Sequence, residues 1–319
     1  MAKIKKAKQS NTAMWIMLSP YLFLLVSLGV VPVIMAIAEI PTKARNNRNG
    51  GWGVIGKVIH DFRLVPAAEH MLGFVAIFVP LTIVFVVMMA LMLDLNTSKW
   101  KKYIRVAYII PASISGGVAV LVWYIIFEPH FSPFKPFLRL FGIKRSDQIW
   151  QTSHLVWIFA IMAFFTIVGN WILIQYGSLQ SISGEVIEAA RIDGCSSYQI
   201  ALRIKLPLIK KYIIYMAVLV FAGGLQLFVE PQLLDTGVFQ GISHVWSLDQ
   251  LSYDFAFTNG EFGSASALSI LLLIPSLIGA LIVIFKTDMF EDEESAARKE
   301  RKQARKALEA LEAQKAVTK

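Results

Sequence analysis

Long apolar runs separated by short polar stretches dominate this 319-residue chain. Six runs stand out, at about 13–39, 71–95, 104–128, 153–178, 212–232 and 264–286. A bilayer's hydrocarbon core is roughly 30 Å thick, and about 20 helical residues cross it. Each run reaches that length. Lipid offers the backbone no hydrogen-bond partner, so every run is expected to be helical. The fold class expected is therefore all-α, a polytopic membrane protein with six transmembrane helices over residues 13–286. Pro32, Pro80, Pro111 and Pro275 fall inside runs, where proline marks a kink.

Composition strengthens this picture. The chain is 56% hydrophobic and only 17% charged, which excludes an ordinary water-soluble domain of this size. The net charge of +9 has no aromatic-interleaved basic stripe behind it, so nucleic acid is not an expected partner. Its distribution reads instead as topology. Six spans place both termini on one side, and segments on that side carry 22 of the 31 Lys and Arg residues, against 9 opposite. Basic residues concentrate on the cytoplasmic side, so both termini are expected there. The five basic residues from Lys43 to Arg63 run against the trend. The leader MAKIKKAKQS opens onto a run too long for a signal peptide and reads as the approach to an uncleaved first span, with residues 1–12 cytoplasmic. The tail 287–319 alternates acidic and basic residues, as a solvated helix does. Between spans five and six, VWSLDQLSYDFAF reads as a short amphipathic helix at the membrane interface.

Candidate chemistry is sparse. Cys195 is the single cysteine, so no internal disulfide forms. The five histidines show no metal-ligand spacing. The sequence has no GxxxxGK[ST] phosphate loop and no row of intramembrane acids suited to a proton relay. No enzymatic activity and no cofactor are expected of this chain. Energy for any transport must be supplied from outside it.

The polar stretch Glu188–Ile209, EAARIDGCSSYQIALRIKLPLI, departs most from this apolar background. Glu188-Ala189-Ala190 favours helix, and the alanines offer a close-packing face. Asp193-Gly194 ends it, since glycine takes the left-handed conformation that closes a helix. Ser196 or Ser197 caps the next turn, which puts Tyr198, Ala201 and Leu202 on one side. Leu206-Pro207 is expected to stop this second helix and turn the chain into the next span.

The spacing EAA, three residues, Gly194, nine residues, Ile204, one residue, Leu206-Pro207 resembles the EAA loop of permease subunits of binding-protein-dependent ABC importers. WIMLSPYLFLLVSLGVVPVI, VWYIIFEP and FGSASALSILLLIPSLIGALIVIF are similar to spans of the carbohydrate-type, maltose/glycerol-phosphate-like subfamily. The segment LLDTGVFQ departs from the TGGGP-like sequence many of those permeases carry there. The resemblance implies the type I ABC importer permease fold in a bacterial inner or plasma membrane. It implies that residues 184–209 are a coupling loop docking on a separate ATPase through Glu188, Ala189, Ala190, Asp193, Gly194, Leu206 and Pro207. It also implies four kinds of partner: a second homologous permease, two copies of an ATP-binding subunit that holds ATP and magnesium, an extracellular solute-binding protein, and a sugar.

A substrate path is sought where polar groups enter the spans. In span four, Thr166, Asn170 and Trp171 can hydrogen-bond or stack on a sugar. They serve equally as interhelical glue and an interface anchor. In span five, Gly223-Gly224 permits local unwinding, and Gly224, Gln226 and Glu230 then line a wall. Glu230 also fits a place in the outer headgroup zone. The same machinery serving a non-sugar solute, and an ion-driven secondary carrier, stand as the alternatives.

Overall fold

The computed structural model describes residues 11–41, 51–95, 101–114, 116–140, 142–235 and 245–286. The N-terminal decapeptide, most of LLDTGVFQ and the tail 287–319 lie outside the described residues. Among the described residues the regular elements are all helical. Among the described residues, five helices are long and apolar enough to cross a membrane, and a bent pair makes a sixth crossing if its halves count together.

The first crossing is α1 (Asn11–Leu24), continued through a π-helical turn into α2 (Val31–Glu39). Large apolar side chains point outward all round it, from Trp15 to Ile37. Its far end is anchored: α2 packs on α16 (Phe262–Lys286). A Cβ at Gly263 would stand 2.9 Å from the Ile40 carbonyl oxygen, so this contact is backbone on backbone. A short helix, α3 (Gly53–Ile59), leads into α4 (Leu64–Leu95), which starts seven residues before the expected span.

The centre of the molecule is α4 laid along α9 (Thr152–Gln180). Phe74, Phe78 and Val86 of α4 meet Leu155, Phe159, Met162 and Ile172 of α9 in the main core, all nearly or fully buried. Burying each such side chain stabilises by roughly 1.5–3 kcal/mol in water. In lipid that gain is absent between helices and close packing takes over.

The third expected span is not one straight helix. It consists of α5 (Lys101–Ser113) and α6 (Gly116–Phe127), bent by 104° at the break. At about 1.5 Å per residue neither half crosses a bilayer alone. The break has a local cause. Gly116 sits at φ +62, a left-handed conformation that ends helical winding. Pro111 precedes it and lacks the N–H that would bond the turn behind it. The halves then diverge, α5 onto α9 and α6 onto α14 (Val229–Leu233).

Beyond α6, two short helices, α7 (Lys135–Leu140) and α8 (Ser146–Ile149), return the chain to α9. Glu128, 2% exposed, fastens this return. Its carboxylate accepts hydrogen bonds from the Ser146 hydroxyl at 2.5 Å, His130 Nδ1 at 2.7 Å and the Trp150 indole N–H at 3.4 Å.

The fifth span also breaks. Its first part, α13 (Lys210–Gly224), stops at the paired glycines, and winding resumes in α14. The following helix α15 (Leu248–Tyr253) does not lie free at an interface. Trp246, Leu251 and Phe255 are buried, and α15 packs on α16 and α4. Trp246 stacks on His70 with ring centroids 5.1 Å apart.

Candidate functional site

The polar segment after α9 folds as two helical pieces around a glycine. Ser183 caps α10 (Gly184–Ile192), its hydroxyl accepting from the Glu185 N–H at 3.3 Å. Asp193 closes α10, and Gly194 at φ +79 reverses the chain. A capping box follows: Ser196 and Gln199 bond each other's backbone N–H groups. The second piece runs through α11 (Ser197–Gln199), a π-helical turn (Ile200–Lys205) and α12 (Leu206–Leu208).

Leu206-Pro207 does not stop this piece. The Leu206 N–H bonds the Ala201 carbonyl five residues back, so the chain has already left the α register. The donor missing from Pro207 then breaks no existing ladder, and proline is tolerated in a first helical turn. The break falls two residues later, at Ile209 (φ −90°, ψ 3°).

The two pieces are attached to the bundle unequally. In α10 Glu188 and Ala189 are exposed, and so are Val186 (44%) and Ile192 (84%); Ala190 alone is buried. The second piece buries Ile200, Ala201 and Ile209, the last two in a small core with Ala90, Leu91 and Leu179 from the ends of α4 and α9. Tyr198, Ala201, Leu202 and Leu206 also line one side of an open apolar groove of about 590 Å³ against the last turns of α4. Pro207 is exposed, as is the Asp193-Gly194 turn.

A second feature lies between α4, α9 and α13. A cavity of about 220 Å³ is lined by Thr166 and Trp171 from α9, Gly224, Gln226 and Glu230 from the broken fifth span, and Phe74 and Phe78 from α4, among others. Gly224 admits this packing: a Cβ there would meet the Phe78 ring at 3.3 Å. The Thr166 hydroxyl donates to the Met162 carbonyl at 2.9 Å, leaving its lone pairs available. Trp171 meets Tyr215 edge-on, with centroids 6.4 Å apart. Asn170 does not join the lining; it is exposed, and Ile167 and Trp171 take the inward positions. Five of the six path residues read from the sequence thus share one cavity. The aromatic contribution of α4 was missed, because Phe74 and Phe78 read as ordinary apolar span residues. Among the described residues, no three of His, Cys, Asp or Glu stand together as metal ligands would.

Residues 74–291 match the family of binding-protein-dependent transport system inner membrane components. Among relatives, the chain is 29% identical over 207 residues to the probable ABC transporter permease protein YurN of Bacillus subtilis, covering 63% of this chain and 70% of that protein. It is 28% identical to the arabinooligosaccharides transport system permease protein AraP of the same organism, covering 65% of this chain and 66% of AraP. It is 25% identical to the maltose/maltodextrin transport system permease protein MalF of Klebsiella aerogenes, covering 73% of this chain. The match spans about half of MalF, at 48% of its length. Its fold is that of a chain in the crystal structure of a bacterial ABC transporter involved in import of the acidic polysaccharide alginate. There the TM-score is 0.71 at 18% identity, over 88% of this chain and 95% of that one. The family match, covering most of the chain, together with the apolar helices, settles the assignment: this multi-pass membrane protein belongs to the family of binding-protein-dependent transport system inner membrane components.

Proposed function

We propose that this chain is a membrane-spanning permease subunit of a sugar ABC importer, with residues 13–286 as its membrane domain and both termini cytoplasmic. The carrying observation is the unequal attachment of the 184–208 segment. An exposed helix, a left-handed glycine and a bundle-anchored second helix make a lever with one free arm. Such a lever needs a partner on its free arm. A separate ATP-binding subunit, present in two copies and holding ATP and magnesium itself, meets Glu188, Ala189 and the exposed Ile192 there. Asp193 and Gly194 shape the turn, and Leu206 and Pro207 carry the second arm into the fifth span.

The sugar passes along the wall formed by Thr166, Trp171, Gly224, Gln226 and Glu230. The cavity of about 220 Å³ is smaller than the roughly 300–1,000 Å³ of pockets that enclose a small-molecule ligand. It therefore suits one wall of a chamber that a second, homologous permease completes. An extracellular solute-binding protein delivers the sugar. Aromatic faces suit the C–H surface of a sugar ring, while Thr, Gln and Glu side chains pair with its hydroxyls. AraP, MalF and the alginate transporter are named for saccharide substrates, which supports this class.

Uptake of radiolabelled oligosaccharide into proteoliposomes holding the complete importer tests the reading. ATP-dependent uptake that Gly194→Pro abolishes is the expected result. Uptake by this chain alone, without ATP-binding subunits, would overturn it in favour of an ion-driven carrier.

A further inference from the structure

We propose that Lys205 and Asp94 form the joint through which movement of the 184–208 segment enters the transmembrane bundle; this rests on the reading of that segment as the ATPase-docking lever. Three elements far apart in sequence meet at the Asp94 carboxylate. One oxygen accepts a hydrogen bond from Gln180 Nε2, at the end of α9, at 2.6 Å. The other is bonded by the Lys205 ammonium, from the π-helical turn of the lever's second arm. The Asp94 side chain is 4% exposed and that of Lys205 13%.

Charge makes little sense here as simple glue. Apolar side chains of similar volume hold buried elements at least as firmly as a desolvated ion pair does. What the pair adds is direction and register. Asp94 lies in the last turn of α4, where a carboxylate opposes the negative end of the helix dipole. Neither α4 nor α9 has a basic residue in its own last turn. The compensating cation arrives from the lever. Lys205 therefore satisfies the carboxylate that also holds Gln180 at the end of α9, so the second arm is tied to both helices through one group.

The load path is continuous. The exposed arm turns at Gly194, and the second arm is fixed beside Ala90 and Leu179 by the joint. The two helices gripped there, α4 and α9, supply Phe78, Thr166 and Trp171 to the cavity wall. A displacement of the lever thus reaches the sugar path through rigid helices with no loop between. Lys205 and Asp94 are positioning residues; neither touches sugar or nucleotide.

The experiment is the number of sugar molecules moved per ATP hydrolysed by the complete reconstituted importer, normalised to assembled complex recovered by co-purification. Asp94→Asn and Lys205→Met should each lower that ratio about fivefold or more while ATP-binding subunits still co-purify. Lys205→Arg, which keeps the charge, and the exchanged pair Asp94→Lys with Lys205→Asp should restore most of it. An unchanged ratio in the single variants, or an exchanged pair no better than either single, would overturn the joint. Gly194→Pro run in parallel separates the two ideas. If it uncouples while the Asp94 and Lys205 variants stay normal, only the joint fails. If it too leaves the ratio unchanged, the lever reading fails first.

Discussion

Gly169 of α9 lies directly against Tyr108 of α5: a Cβ built on Gly169 would stand 2.0 Å from the Tyr108 carbonyl oxygen. No side chain can rotate away from that collision, because the obstacle is backbone. The close approach is what seats the first half of the broken third span on the central helix. Gly169→Ala is therefore expected to push α5 off α9, at a cost of about 1–3 kcal/mol or more. A lowered thermal-unfolding midpoint of the purified protein in detergent is the check. By contrast Gly177, on the same helix, has open space where a Cβ would stand and should accept alanine without loss.

Glu128 should behave as a staple for the chain between α6 and α9. Glu128→Ala removes the carboxylate whose two oxygens accept from the Ser146 hydroxyl and the Trp150 N–H, and losing hydrogen bonds to a charged acceptor costs about 1.5–3 kcal/mol. Faster limited proteolysis between His130 and Ser146 than in the parent chain is the expected outcome. Glu128→Gln keeps an acceptor oxygen and should show a smaller effect.

Asp249 supplies a pH dependence. Burial pushes its carboxyl up from 3.8 to about 6. The folded chain then binds the proton more tightly than the unfolded chain, so this residue's contribution is fully present below about pH 4. It is lost as pH rises through 6 and stays lost above it. The difference between the two limits is at most about 3 kcal/mol. Asp249→Asn should raise the unfolding midpoint at pH 7 and flatten its change between pH 4.5 and 7. An Asn variant with the same pH profile as the parent would contradict the assignment.

Trp171 in the cavity wall should govern solute affinity more than energy use. Trp171→Ala is expected to raise the KM for sugar uptake roughly tenfold, the equivalent of about 1.4 kcal/mol of lost stacking. ATP hydrolysis in the absence of sugar should change little. Asn170→Ala, outside the cavity lining, should leave KM close to its parent value.

Much of this architecture is legible in the residues because lipid imposes a simple rule: a segment of about 20 apolar residues becomes a helix. The lever is legible for a different reason. Its turn needs a left-handed residue and its second arm needs a cap, and Gly194 and Ser196 are the residue types that meet those needs. What escaped depends on geometry that hydropathy does not encode. Val106–Ser113 and Gly116–Phe127 together are as apolar as a continuous span, so the 104° bend between them is invisible in their composition. Pro207 reads as a terminator only if the turn before it is α-helical, and it is not. Asn170 lies outside the cavity that Thr166 and Trp171 line because the helix turns it to the exposed side, a rotation its residue type does not reveal. The bond between Asp94 and Lys205 joins positions 111 residues apart, a pairing that periodicity cannot anticipate.

The lever claim is tested most directly by its most exposed apolar residue. A photo-activated cross-linking amino acid placed at Ile192, which is 84% exposed on the free arm, would report what that arm touches in the native membrane. Capture of an ATP-binding subunit, lost when the same group sits at exposed Phe62 outside the spans, is the expected result. Cross-links from Ile192 only to lipid, with the assembled importer present and active, would contradict the account.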